Sequence, residues 1–200
     1  MQPRTFLTGQ WKTLAMLSYE VDPARLKRFV PRGTELDAWN GKTFVSVVGF
    51  EFLGARFQGF RIPFHQDFAE VNLRFYVRRR TPEGWRRGVV FVKEVAPRLA
   101  VALTARWRYN QNFQALPMRW EITQNAPGTP PKAAFCWRRQ GQWEHLSALA
   151  TGEVALPESG SLDEFIIEHY WAYTIQRDGG TMEYQVGHQR WRLWQAWQCE

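Results

Sequence analysis

Between residues 65 and 80 the chain reads HQDFAEVNLRFYVRRR. In an extended strand successive side chains point to opposite faces. Ala69, Val71, Leu73, Phe75 and Val77 then share one side, and Phe68, Glu70, Asn72, Arg74 and Tyr76 the other. The second face carries a carboxylate, an amide and a guanidinium in a row, bracketed by aromatic rings. A solvated strand face also places polar residues at alternate positions, but aromatics at both ends suit the wall of a pocket. In a pocket, Arg74 would hold a carboxylate or enolate oxygen through paired hydrogen bonds, and a desolvated Glu70 would act as acid or base near neutral pH. Glu70 and Arg74 stand about 13 Å apart along the strand by the usual rise. If buried, they need separate partners or a ligand between them, because an uncompensated buried charge costs several kcal/mol.

Other reactive side chains are sparse. The basic residues are 21 arginines and five lysines, Lys12, Lys27, Lys42, Lys93 and Lys132. A Schiff-base enzyme needs a lysine whose pKa is lowered by burial or a neighbouring cation. Lys93, in RRGVVFVKEVA, is the one lysine inside an apolar strand, and an outward, solvated Lys93 is the favoured reading because lysine is rarely buried. His65, His145, His169 and His188 show no HxH or HxxxH spacing, so no metal site is expected. Hydrogen bonding within the fold is the expected role of His169 and His188. No phosphate loop, nucleophile elbow or metalloprotease motif is present. Cys136 and Cys199 read as reduced thiols.

These residues must be positioned by strands. WKTLAMLSYEV (11 to 21) reads as a strand, and Asp22, Pro23 and Pro31 delimit a short helix near 23 to 30. GKTFVSVVGFEFLG is a β-rich run with a kink expected at Gly49. The opening stretch is the next strand, and TPEGW (81 to 85) turns it into RRGVVFVKEVA. Further strands are expected at 99 to 109, 116 to 124 and 132 to 139, with a turn at APGTPP between the last two. SLDEFIIEHYWAYTI is the strongest helix signal, since Ser161 and Glu164 form a capping box ahead of helically spaced apolar residues. MEYQVGHQRWRLWQAW returns as strand. Many sequential strands with two helices predict an α+β fold on a curved or closed, largely antiparallel sheet.

The 200 residues, 44% of them hydrophobic, fit one domain spanning 1–200. Eleven tryptophans and 16% aromatic residues supply rings for a core and a cavity wall. No run approaches the roughly 20 apolar residues of a membrane helix. The amino end lacks a signal-peptide apolar region, so a cytoplasmic location is expected. The net charge of +7 is uneven: Lys plus Arg against Asp plus Glu is 8 to 5 over residues 1–60, 15 to 5 over 61–140 and 3 to 9 over 141–200. Complementarity within the fold weakens any inference from global charge to a nucleic-acid partner. The hairpin tip with Arg78, Arg79, Arg80, Arg86, Arg87 and Trp85 could hold phosphates and stack on a base. A solvated turn that protects a sheet edge is the favoured alternative.

The ordered set FxExNxRxYV (Phe68 to Val77), GVVF (88 to 91), Ala105-Arg106, YNQNFQALPM (109 to 118), Glu168 with Tyr170 and Tyr173, and Val186, His188 and Trp191 resembles the YqjF-like family of uncharacterised bacterial proteins. That family resembles a branch of the acetoacetate decarboxylase-like superfamily. The resemblance implies a curved antiparallel β fold with a few short helices around a mostly apolar cavity, and an inward Glu-Asn-Arg face. It makes Glu70 a counterpart of the superfamily's active-site glutamate and puts the Schiff-base lysine pair near Asn112 and Phe113, neither of which is lysine. Lys93 matches no catalytic position. The candidate ligand contacts are Glu70, Asn72, Arg74, Tyr76, Arg106, Tyr109 and His188, with Glu70, Arg74 and Arg106 as candidate catalytic groups. A small anionic or carbonyl-containing ligand is expected, without a cofactor, and the oligomeric state stays open.

Overall fold

The computed structural model describes residues 7–61, 65–123 and 131–199. In chain order the elements are β1 (Leu7–Val21), α1 (Pro23–Leu26), β2 (Glu35–Leu36), β3 (Thr43–Phe57), β4 (Phe60–Arg61), β5 (Phe68–Thr81), β6 (Gly84–Ala96), α2 (Leu99–Tyr109), β7 (Phe113–Ala115), β8 (Met118–Thr123), β9 (Lys132–Arg139), β10 (Gln142–Ala155), α3 (Leu162–Ile167), β11 (Trp171–Ile175), β12 (Thr181–Gln185) and β13 (Leu193–Cys199). Strands dominate, with few and short helices, and the sheets do not close into a barrel.

The large sheet runs β1-β3-β5-β6-β11-β12, with β2, β4 and β7 attached at its ends and sides. It is antiparallel except where β6 meets β7 and β11. The second sheet is β13-β10-β9-β8, all antiparallel. Both faces of β5 are covered. On one face Ala69 and Val71 pack with Ala133, Phe135 and Leu146 of the small sheet, and Phe75 and Val77 with Leu26, Val90 and Tyr173; on the other Phe68 packs with Phe50, Phe52 and Phe113, and Tyr76 with Phe44, Val89 and Phe165. Gly49 sets the closeness of the two sheets, because a Cβ there would lie 2.5 Å from the ring of Phe135, which is 0% exposed. The kink expected at Gly49 is absent. β3 is one strand from Thr43 through Gly49 to Phe57, and its pairing with β1 shifts register at two places, between Thr8 and Gln10 and between Lys12 and Ala15.

The β5–β6 hairpin forms as expected, with Pro82 and Glu83 joining the Thr81–Gly84 pair. Three other expectations fail. Residues 99–109 form the helix α2, whose Ala102 and Ala105 pack into the core beside Phe113. This segment is built from Ala, Leu and Arg, which favour helix. Asn110 ends it in the left-handed conformation (φ 53°), with its N–H on the Ala105 carbonyl. The helix expected over 161–175 stops at Ile167. Ser161 caps it by accepting the Glu164 N–H at 3.2 Å, but Trp171–Ile175 is the strand β11, parallel to β6 at Gly88 and Val89. Aromatic and β-branched residues fit a pleated sheet, and Gly88 admits the close approach, since a Cβ would lie 2.6 Å from the Trp171 carbonyl. The strand expected over MEYQVGHQRWRLWQAW splits into β12 and β13. Apart from Pro131, the turn at APGTPP lies outside the described residues.

Candidate functional site

The strand parity of β5 places Glu70, Asn72 and Arg74 on the wall of a cavity of about 920 Å³. Strands β1, β3, β6 to β10 and β12, helices α2 and α3, and residues 186–196 contribute the other walls. Trp11, Phe50, Phe68, Phe91, Phe113 and Trp191 supply aromatic surface. Tyr76 lies buried beneath. Its hydroxyl shares a 2.5 Å hydrogen bond with Ser46, which shares another of 2.6 Å with Ser18.

β6 does not follow simple alternation. Its pairing with β5 shifts register between Leu73 and Arg74, so that Lys93 faces Leu73 while Phe91 faces Arg74, and Val92 is the extra residue of a bulge. Val89 and Phe91 line the cavity, and strict alternation would put Lys93 beside them. The bulge puts Glu94 there instead, opposite Asn72, and Lys93 is not among the lining residues. Glu94 is 4% exposed and Asn72 3%. Tyr184 of β12 adds its hydroxyl to this cluster and accepts a hydrogen bond from Gln111 at 2.9 Å.

The electrostatics follow from burial. Desolvation pushes the Glu70 carboxyl up to about 7, against a smaller lowering by the hydrogen bond from Asn72. Burial first, and then the charge on Glu70, holds Glu94 well above the usual carboxylate range. Burial and then Glu94 likewise raise the Tyr184 phenol. The Arg74 guanidinium reaches the Ile166 carbonyl at 3.4 Å and Met16 Sδ at 3.9 Å through Nη2, and it has no carboxylate partner among the described residues. Asn72 Oδ1, Arg74 Nε and Glu94 Oε2 are buried without hydrogen-bond partners among the described residues.

His169, 5% exposed, also faces the cavity and rests on Tyr76 with ring centroids 4.7 Å apart. Its backbone is hydrogen-bonded, with the N–H on the Ile167 carbonyl at 3.0 Å, while both ring nitrogens are buried without a close partner among the described residues. Burial, then Arg87 and Arg74, holds the imidazole neutral, well below its ordinary range, with the Ile166 backbone pulling weakly the other way. His188 does make the expected contacts. Nδ1 lies 2.8 Å from the Gln189 carbonyl and Nε2 3.2 Å from the His169 carbonyl, and the ring stacks on Tyr170 at 4.6 Å. Tyr109 lines the cavity, and partial desolvation raises its phenol. Arg106 does not line it, because α2 is a helix rather than a strand and exposes Arg106 while burying Ala102 and Ala105. Glu94, His169 and Tyr184 are the lining groups that sequence reasoning missed. Only the adjacent Glu94 had a visible cue, as the acid next to Lys93 in an apolar strand.

Asn112 Nδ2 donates to the Val92 carbonyl at 2.8 Å, and Phe113 is buried in the cavity wall. The lysines that do line the cavity, Lys12 and Lys132, are exposed. In the hairpin, Arg78 pairs with Glu35, Arg79 and Arg86 with Glu183, and Arg87 with Asp37. Arg78 and Arg80 lie over the Trp85 ring at 4.4 and 5.3 Å. Among the described residues no three His, Cys, Asp or Glu side chains could hold a metal. No described helix is long and apolar enough to cross a membrane.

A strand-built cavity with this chain order is an acetoacetate decarboxylase-like fold. The chain is similar to the acetoacetate decarboxylase of Legionella pneumophila (TM-score 0.60, 12% identity, 90% of this chain and 64% of that one). It is similar also to the enduracididine biosynthesis enzyme MppR, solved with the condensation product of pyruvate and imidazole 4-carboxaldehyde (TM-score 0.56, 13% identity, 80% of this chain and 60% of that one). It thus spans less than two thirds of the length of either. The model of the DUF2071 family, described as an uncharacterized conserved protein, matches residues 8–200, and the chain belongs to that family. A relative is the uncharacterized protein YqjF of Bacillus subtilis (strain 168), 27% identical over an alignment of 190 residues that covers 93% of this chain and 74% of that protein.

Proposed function

We propose that the cavity binds a small carboxylate- or carbonyl-containing molecule, with Arg74 receiving its anionic group and Glu70, Asn72 and Glu94 receiving its polar remainder. The observation that carries this reading is Arg74, a cavity-facing cation with no acidic partner among the described residues, on the same wall as two acceptors that have no hydrogen-bond partner among them. Each buried polar atom left unmatched costs about 1–3 kcal/mol, and an oxyanion with a neighbouring hydrogen-bond donor relieves that cost. The MppR complex, formed around a pyruvate-derived molecule, makes the same ligand class reasonable for this fold. Tyr109 and His188 add a phenol and a ring to the binding surface. Lysine chemistry is disfavoured, because Lys93 lies outside the lining and the positions suggested for a lysine pair hold Asn112 and Phe113. Nucleic-acid binding by the hairpin is disfavoured as well, because four of its five arginines are engaged by Glu35, Asp37 and Glu183.

A thermal-shift screen of short keto acids tests the reading. At a ligand concentration 100-fold above Kd, mass action adds about 2.7 kcal/mol, which is about 5 to 10 °C in Tm for a protein of this size. Arg74→Ala should abolish that rise. A panel of keto acids with no effect on the wild-type Tm sinks the proposal.

A further inference from the structure

Across β5 and β6, Asn72 stands opposite Glu94. Glu70 is the diagonal neighbour of Glu94 on the same face, roughly 7–8 Å away at the backbone. Two carboxyl groups so placed in a desolvated wall do not both ionise, so near neutral pH the pair holds one proton. The hydrogen bond from Asn72 favours the charged form of Glu70, whereas Glu94 Oε2 is buried without a hydrogen-bond partner among the described residues, which makes Glu94 the acid and Glu70 the carboxylate. Asn72 stands beside both: its amide donates to Glu70, and its Oδ1 is buried without a hydrogen-bond partner among the described residues. Two strand positions further along the face, Arg74 supplies the positive charge.

The geometry points to a lysine-free proton-transfer site in which Glu70 and Glu94 interconvert the keto and enol forms of a 2-oxo carboxylic acid held by Arg74. This rests on the binding reading above and adds to it a substrate class and a reaction. Arg74 takes the carboxylate. Glu70 removes a proton from the carbon next to the carbonyl, and the C–H electron pair becomes the C=C bond. The carbonyl π pair moves to oxygen, which takes the proton of Glu94. Glu70 is then protonated and Glu94 ionised, and return of the proton to carbon restores both. No oxidant, reductant or second substrate enters. Asn72 Oδ1 gives the step its direction, because the enol offers it an O–H and the ketone offers none. An acceptor satisfied better as the enol forms lowers the barrier to enolisation.

The test is deuterium exchange into the C3 methylene of 2-oxobutanoate in D2O, followed by proton NMR, beside Tm measurements with the same compound. Wild type should accelerate the exchange. Glu70→Gln and Glu94→Gln should each lose at least 100-fold of that acceleration while keeping the wild-type circular dichroism and a ligand-induced Tm rise. Glu70→Asp, which keeps the carboxyl, should retain measurable exchange and serves if either glutamine variant fails to fold. Borohydride should trap no adduct. A Tm rise in wild type without accelerated exchange overturns this inference and leaves the binding reading standing. No Tm rise overturns both. A borohydride-trapped adduct overturns the lysine-free route.

Discussion

Glu70 carries its raised pKa at a cost that depends on pH. Glu94 and Tyr184 face it across the cavity wall, Asn72 donates to it, and Arg74 and His169 stand further along the same cavity. Its folded value of about 7 lies above the ordinary 4.5, so folding favours the protonated form. The associated stability is fully present below about pH 4.5 and is lost as pH rises to 7. Glu70→Gln removes a group that must ionise in the fold. The variant should match wild type near pH 4 and exceed it at pH 8 by on the order of 1–3 kcal/mol. Urea midpoints at the two pH values measure this, and an equal difference at both would show that Glu70 ionises freely. His169 is packed as a neutral ring among Tyr76 and Phe165, and its neutrality keeps Arg74 the dominant positive charge on that side of the cavity.

At the scale of elements, the bulge at Val92 decides which side chain reaches the site. Val92 and Lys93 together occupy the space opposite Leu73, so the alternation along β6 resumes with Glu94 inward. Lys93→Ala should therefore leave the keto-acid Tm shift unchanged, whereas Glu94→Ala should reduce it. A loss with Lys93→Ala would mean that its side chain serves the cavity. Helix α3 has six residues and places Ile166 and its carbonyl beside Arg74. Too short to persist alone, it relies on its cap and its packing. Ser161→Ala should cost about 1 kcal/mol, read as a lowered urea midpoint.

At the scale of the molecule, the small sheet is pressed against β3 and β5 through Phe135, with Gly49 leaving room for the ring. Phe135→Ala should cost about 3–5 kcal/mol, which equilibrium unfolding will show, and should loosen the cavity walls supplied by β10 and β13. The charge asymmetry is settled internally: Glu183, from the acidic last third, bridges Arg79 and Arg86 of the basic middle third. Binding of a short labelled RNA should accordingly be weak and should vanish between about 50 and 200 mM salt, as for non-specific phosphate contacts. Salt-resistant, saturable binding would reopen the hairpin as an interface.

What the sequence by itself determined was the content of each strand face. The alternation from Phe68 to Tyr76 is a property of neighbouring residues, so it shows without any knowledge of partners that Glu70, Asn72 and Arg74 travel together. The Pro82-Glu83 turn and the capping of α3 by Ser161 are local in the same sense. The tertiary structure decided what those faces meet. Residues 99–109 and 171–175 took the opposite form from the one their spacing suggested: their residue types suit the forms they adopt, and packing of Ala102 and Ala105 and parallel pairing beside Gly88 select them. Glu94, His169 and Tyr184 entered the cavity through a bulge, the short link between α3 and β11, and a distant strand. These are long-range contacts, whose energies depend on residues tens of positions away, and no local spacing carries them.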